Sequence, residues 1–177
     1  HFNQEELFSI NDRIIVAPVL HKNTYEKKIF LPFCKEGWFN YFSENYISSG
    51  GWIKLKVPLN KTLIIIKGGT LIPKLKKSFK NAHLAPIEEI IIFPSKSKTL
   101  NYQKNMPIIF DDGFSNKYEK KHHLIIYPKI KIDNKNLFLD FLIEGNGKPQ
   151  KQKILLRYPK NLKMKINNLS EIFYKNK

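Results

Sequence analysis

The sequence predicts an all-β chain made of two β-sandwich domains, and three observations carry that prediction. Apolar residues come in runs of roughly four to eight, closed off by Gly, Pro, Asn, Asp or Ser, which is the length of strands. Several runs alternate apolar and polar residues, the period of a half-buried strand. No stretch of about ten or more residues keeps a 3.6-residue period, so no helix is expected.

The chain is organised around TLIIIKGGTLIP, residues 62–73. Leu63 to Ile66 is an unbroken aliphatic run and reads as a buried strand. Gly68-Gly69 permits a turn or bulge, Thr70 to Ile72 resumes the strand, and Pro73 is expected to end it. Upstream, residues 1–9 place Phe2, Leu7 and Phe8 among polar residues and read as the tail of a preceding element. Asn11-Asp12 is a turn signal. RIIVAPVL, residues 13–20, is a strand with Pro18 marking its end or edge. KIFLP (28–32) and WFNYF (38–42) follow, the latter with Trp38, Asn40 and Phe42 on one face. WIKLKV (52–57) alternates cleanly, with Ile53, Leu55 and Val57 inward and Lys54 and Lys56 outward.

After Pro73 the chain turns basic and aperiodic, as a linker would. Strand character restarts at IEEIIIF (87–93) and continues at 99–102, 106–110, 123–132, 137–144, 153–158 and 162–166. Asp133-Asn134 joins two of these as a hairpin. The expected organisation is therefore residues 1–9 as a tail, 10–74 as a proximal sandwich, 75–86 as a linker and 87–177 as a distal sandwich.

Composition narrows the class. The chain has 177 residues, is 42% hydrophobic, and has 8 Gly and 10 Pro, which is a globular composition. No apolar run approaches the ~18–20 residues of a bilayer span. The first residue is His1, not Met, as expected for a piece of a longer protein. Cys34 is the single cysteine, so no internal disulfide forms and no multi-cysteine zinc site exists. The net charge is +16. Its lysines are spread along the whole chain with very little arginine, whereas base readout and phosphate clamps favour Arg. No nucleic-acid partner is expected.

Candidate chemistry is sparse. Asp111 and Asp112 precede Gly113; neighbours on a strand face apart, so they do not form a glycosidase pair and read as a turn. The DDG turn lacks the alternating ligands of a calcium loop. His122 and His123 face apart for the same reason. Cys34 has no His or Asp at a telling spacing and reads as a buried or semi-buried thiol. Trp38 and Trp52 are either a sugar-stacking platform or core aromatics. Asn60-Lys61-Thr62 and Asn168-Leu169-Ser170 fit the N-glycosylation pattern. No catalytic residue, metal ligand or cofactor motif stands out.

Five short segments together resemble a known family: DRIIVAPV (12–19), FLP (30–32), WFNY (38–41), VPL (57–59) and KGGTLIP (67–73). Their order and spacing are similar to the region following the catalytic barrel in glycoside hydrolase family 31, which contains the α-glucosidases. IFDDG (109–113) with Tyr118 resembles a turn in the same family's distal domain. The basic stretch after Pro73 resembles the endoplasmic-reticulum branch of the family. Asn11 stands where the family has Gly, Lys67 where it has Arg, and Asn40 where it has Asp.

The resemblance implies a retaining α-glucosidase whose catalytic Asp pair lies on a barrel upstream. This chain would then be the non-catalytic proximal and distal β-sandwiches that brace the barrel, with Phe2, Leu7 and Phe8 packed against it. It implies a glycan or oligosaccharide substrate, a possible regulatory β subunit, no cofactor, and the endoplasmic-reticulum lumen or secretory pathway. The readings from other classes are a stand-alone carbohydrate-binding sandwich and a basic binder of anionic surfaces.

Overall fold

In the computed structural model the described residues are 7–47, 50–57, 60–76, 87–95, 107–110, 123–133, 135–146, 154–158, 163–166 and 173–175. Phe2, residues 77–86, the strand expected at 99–102, Asp111 to Gly113, Tyr118, His122 and Asn168 lie outside them. Every element among the described residues is a strand, as the all-β prediction requires. The chain divides into two compact units, His1–Thr70 with Ser95–Ser97, and Leu71–Pro94 with Lys98–Lys177.

The first unit holds β1 (Phe8–Ile10), β2 (Ile14–Ala17), β3 (Glu26–Leu31), β4 (Trp38–Asn40), β5 (Tyr46–Ile47), β6 (Gly51–Lys56) and β7 (Leu63–Lys67). Five of them form a sheet in the order β1-β2-β7-β4-β5, and β3 and β6 form a separate antiparallel pair. The aliphatic run thus becomes the central strand β7, with Ile65 and Ile66 both buried. Ile15 and Ala17 of β2, Leu63 and Ile65 of β7, and Ile29 and Leu31 of β3 meet in one core with Trp38 and Val57. Lys54 and Lys56 point outward from β6 and Ile53 and Leu55 pack on the core, as the alternation predicted.

Local turns follow from residue chemistry. Asn11 and Asp12 adopt left-handed φ of 49° and 50°, which Asn and Asp tolerate best among non-glycine residues. That turn pairs β1 with β2, Phe8 opposite Val16. Phe8 and Ser9, expected in a tail, are therefore strand residues, because β2 offers them an edge to pair with. Leu7 packs on this unit's own core, while Phe8 is exposed. The expected Trp38-Asn40-Phe42 face ends at Asn40. Its Oδ1 accepts the backbone N–H of Phe42 at 2.9 Å and of Ser43 at 3.0 Å, an Asx turn that closes the strand and leaves Phe42 exposed. An Asp would accept the same two bonds, so the Asn40 departure keeps the turn.

The second unit is a sandwich of two four-stranded sheets. One has the order β10 (Ile108–Phe110), β11 (Leu124–Asp133), β12 (Asn136–Glu144) and β14 (Lys163–Ile166). The other has the order β15 (Phe173–Lys175), β13 (Ile154–Arg157), β9 (Ile87–Phe93) and β8 (Thr70–Leu75). Its core draws on both: Ile90, Ile92 and Leu156 from one sheet, Ile126, Ile130, Leu137 and Leu139 from the other. The β11–β12 hairpin was expected around Asp133-Asn134; Asp133 pairs with Asn136 as the last pair of the ladder, and Asn134 lies outside the described residues. β12–β14, β13–β15 and β13–β9 are parallel.

Among the described residues two prolines sit inside strands. Pro73 was expected to end its strand, but β8 runs on to Leu75. β8 is the last strand of its sheet, so the missing N–H can lie on an unpaired edge. Residues 71–74, expected in the proximal sandwich, thereby share a sheet with β9. Pro128 lies opposite Phe141 of β12, while β10 pairs only with 124–126, so it sits past the end of β10.

Candidate functional site

Register decides which aromatics can meet a ligand. β3 and β6 pair Phe30 with Trp52, Lys28 with Lys54 and Glu26 with Lys56. The inward residues of this pair feed the core, so Trp52 belongs to the outward face with the lysines. It is 48% exposed. Phe30 meets it edge-on, with centroids 5.7 Å apart, and Lys28 Nζ lies 5.3 Å from the ring centroid. Glu26 forms an ion pair with Lys54 on the same face, and hydrogen bonding to Lys54 lowers the Glu26 carboxyl from its usual value.

Trp38 has the opposite fate. It is 4% exposed, and its indole N–H donates to the Pro32 carbonyl at 2.9 Å. The two tryptophans therefore do not form one platform: Trp38 is core and Trp52 is surface. Phe30 was not singled out from the sequence. The signal was present, because KIFL and WIKL alternate in register once paired.

Near this face lies a cavity of about 330 Å³ whose lining includes Thr24, Tyr25, Val57, Asn60, Lys61 and Thr62. Asn60 has a left-handed φ of 64° and is exposed. An open groove along Asn23 to Glu26 and Lys56 adjoins it.

The remaining candidates are structural. Burial pushes the Cys34 thiol up, opposed by hydrogen bonding from Gly37. It is a half-buried thiol packed on the core, as the sequence suggested. Burial lowers Arg13 from its usual value, opposed by the Glu36 charge, and Lys67 Nζ lies 3.9 Å from the same Glu36 carboxylate. Lys67 thus makes an ionic contact as an ammonium, without the planar fork of an arginine. His123 is half-buried ahead of β11. Among the described residues no group of three or more His, Cys, Asp or Glu could hold a metal.

Comparison with known proteins points to glycosidases as what this all-β chain is similar to. Residues 1–72 match the model of the glycosyl hydrolase family 31 C-terminal domain. That match covers 72 of the 177 residues and likens this part of the chain to glycosyl hydrolase family 31.

Its relatives include an α-xylosidase of Saccharolobus solfataricus, 25% identical over 71% of this chain and 16% of that protein. The neutral α-glucosidase AB of Mus musculus is 22% identical over 71% of this chain and 13% of that protein. Among solved structures, a Flavobacterium johnsoniae dextranase complexed with glucose shares the fold at a TM-score of 0.62, with 22% identity over 89% of this chain and 19% of that one. A glucosidase II α subunit does so at 0.53, with 21% identity over 75% of this chain and 14% of that one. The chain therefore spans 16% or less of the length of these first curated relatives.

Proposed function

We propose that this chain is the C-terminal, non-catalytic β region of a retaining α-glucosidase that removes terminal α-linked glucose from glycans or oligosaccharides. The match of residues 1–72 to the family's C-terminal domain carries this reading. Likeness to neutral α-glucosidase AB supports glucose as the sugar released, and an α-xylosidase stands beside it among the relatives. A retaining glycosidase works with two carboxyl groups about 5–5.5 Å apart, one as nucleophile and one as acid and base. Those carboxylates belong on the upstream barrel of the same polypeptide.

This region braces that barrel. Phe8, Ile10, Leu20 and Phe33 are large apolar residues left exposed on the first unit, Phe33 at 74%. Such surface suits burial against another part of the protein. A regulatory β subunit and residence in the endoplasmic-reticulum lumen or secretory pathway belong to the same reading. They are supported by likeness to a heterodimeric endoplasmic-reticulum glucosidase II complex.

The test compares the full-length protein with a version truncated before this chain, together with the chain alone. Hydrolysis of an α-glucoside by the full protein, its loss with this region, and dye binding by the inactive isolated chain are expected. Hydrolysis by the isolated chain refutes the assignment.

The exposure of Trp52 favours a second reading, a carbohydrate-binding sandwich that works by stacking. That reading requires oligosaccharide affinity in the isolated chain, lost in Trp52→Ala. No affinity in the unsubstituted chain removes it.

A further inference from the structure

We propose that Asn60 carries an N-linked glycan and that its first sugar lies in the adjoining cavity against Tyr25. The sequence Asn60-Lys61-Thr62 has the acceptor amide, a middle residue other than proline and the hydroxyl two residues on. In a chain rich in Asn the pattern alone means little, so placement must carry the argument.

All three residues are exposed and lie in the connection between β6 and β7, outside any strand. The left-handed backbone of Asn60 belongs to a turn conformation that Asn tolerates. A group added there displaces no ladder bond and no core side chain. The core resumes only at Leu63.

The cavity gives the sugar a place. Asn60, Thr62 and Tyr25 all line it, and Tyr25 is 54% exposed. Its volume of about 330 Å³ is at the small end of ligand pockets. The first sugar is tethered at Asn60, so it enters without the translational cost of a free ligand. An acetylated hexosamine has an apolar ring face suited to an aromatic wall, and hydroxyls suited to Asn23 and Thr24.

The transfer is balanced as a displacement. The Asn60 amide nitrogen forms a bond to the anomeric carbon of a lipid-diphosphate-linked oligosaccharide. The bond from that carbon to the diphosphate oxygen breaks, the lipid diphosphate leaves, and the amide loses one proton to the transferase. Nothing is oxidised or reduced. The inference rests on the secretory reading above.

The test uses the full-length protein from its own cells. Sealed vesicles are treated with protease, and the protected protein is digested with a peptide-N-glycosidase in heavy-oxygen water. Labelled Asp at position 60 is expected, and its absence in Thr62→Ala. Protected protein with unlabelled Asn60 overturns the inference and leaves the location standing. Protein destroyed by the protease and unlabelled overturns both. For the sugar's position, the unsubstituted protein should melt about 2 °C above Asn60→Gln, and Tyr25→Ala should abolish that gap. A gap that survives Tyr25→Ala overturns the packing against Tyr25.

Discussion

Glu89 ties three strands of one sheet together through two cations, and the three charged residues are not equivalent. Its Oε2 receives Lys74 Nζ of β8 at 2.7 Å, and its Oε1 lies 3.3 Å from Arg157 Nε of β13. The Glu89 side chain is 12% exposed, whereas those of Lys74 and Arg157 are 40% and 34% exposed. Removing the carboxylate charge leaves Lys74 able to turn into water and Arg157 with a guanidinium that is partly exposed although its Nε is buried. Glu89→Gln should therefore cost about 1 kcal/mol, close to an exposed pair. Replacing both cations by Met leaves a charge that cannot escape, and should cost about 3–5 kcal/mol. Urea unfolding followed by far-UV circular dichroism measures these differences. Tryptophan fluorescence would not serve, since both tryptophans lie in the first unit. If Glu89→Gln destabilises as much as the Lys74/Arg157 double variant, the asymmetry argument is wrong.

Other expectations can be checked on the same preparations. Gly145 has φ of 95°, and a Cβ there would fall 2.0 Å from the His123 carbonyl oxygen. Gly145→Ala should cost at least about 2 kcal/mol in urea, and a near-neutral result would contradict the close approach. The Thr70 hydroxyl is buried without a hydrogen-bond partner, so Thr70→Val should leave Tm unchanged or raise it, and a clear fall would reveal a partner. Cys34 is held protonated by burial, so alkylation at neutral pH should be slow in the native chain and fast in denaturant. The sign follows from the raised thiol: its stabilisation is complete below the unfolded thiol's pKa of about 8.5 and fades as pH rises past it.

What the sequence disclosed follows the physics of one-sided burial. WIKLKV was legible because one face is core and the other is solvent, so composition records the pleat. The hairpin around Asp133-Asn134 was legible because turns demand particular residues. β1, β5 and β15 were missed because two- and three-residue strands carry too little pattern to separate from loop. Pro73 misled because its effect depends on whether the strand is at an edge, and edge position is a property of the whole sheet. The two tryptophans could not be sorted for a similar reason. Only the structure supplies the Pro32 carbonyl that lets one of them be buried. No catalytic motif was legible in the sequence, and the part that matches a family model, residues 1–72, matches a C-terminal domain.

The proline within β8 also bears on how this chain behaves among copies of itself. A strand at the end of a sheet presents a row of unused donors and acceptors, to which any extended segment can add. β8 interrupts that row at Pro73 and follows it with Lys74, and Lys76 comes just beyond the strand. A second chain laid along it would lose a backbone bond and meet like charge. The same few residues that carry the chain from one unit into the next therefore make this border of the sheet a poor template for self-association.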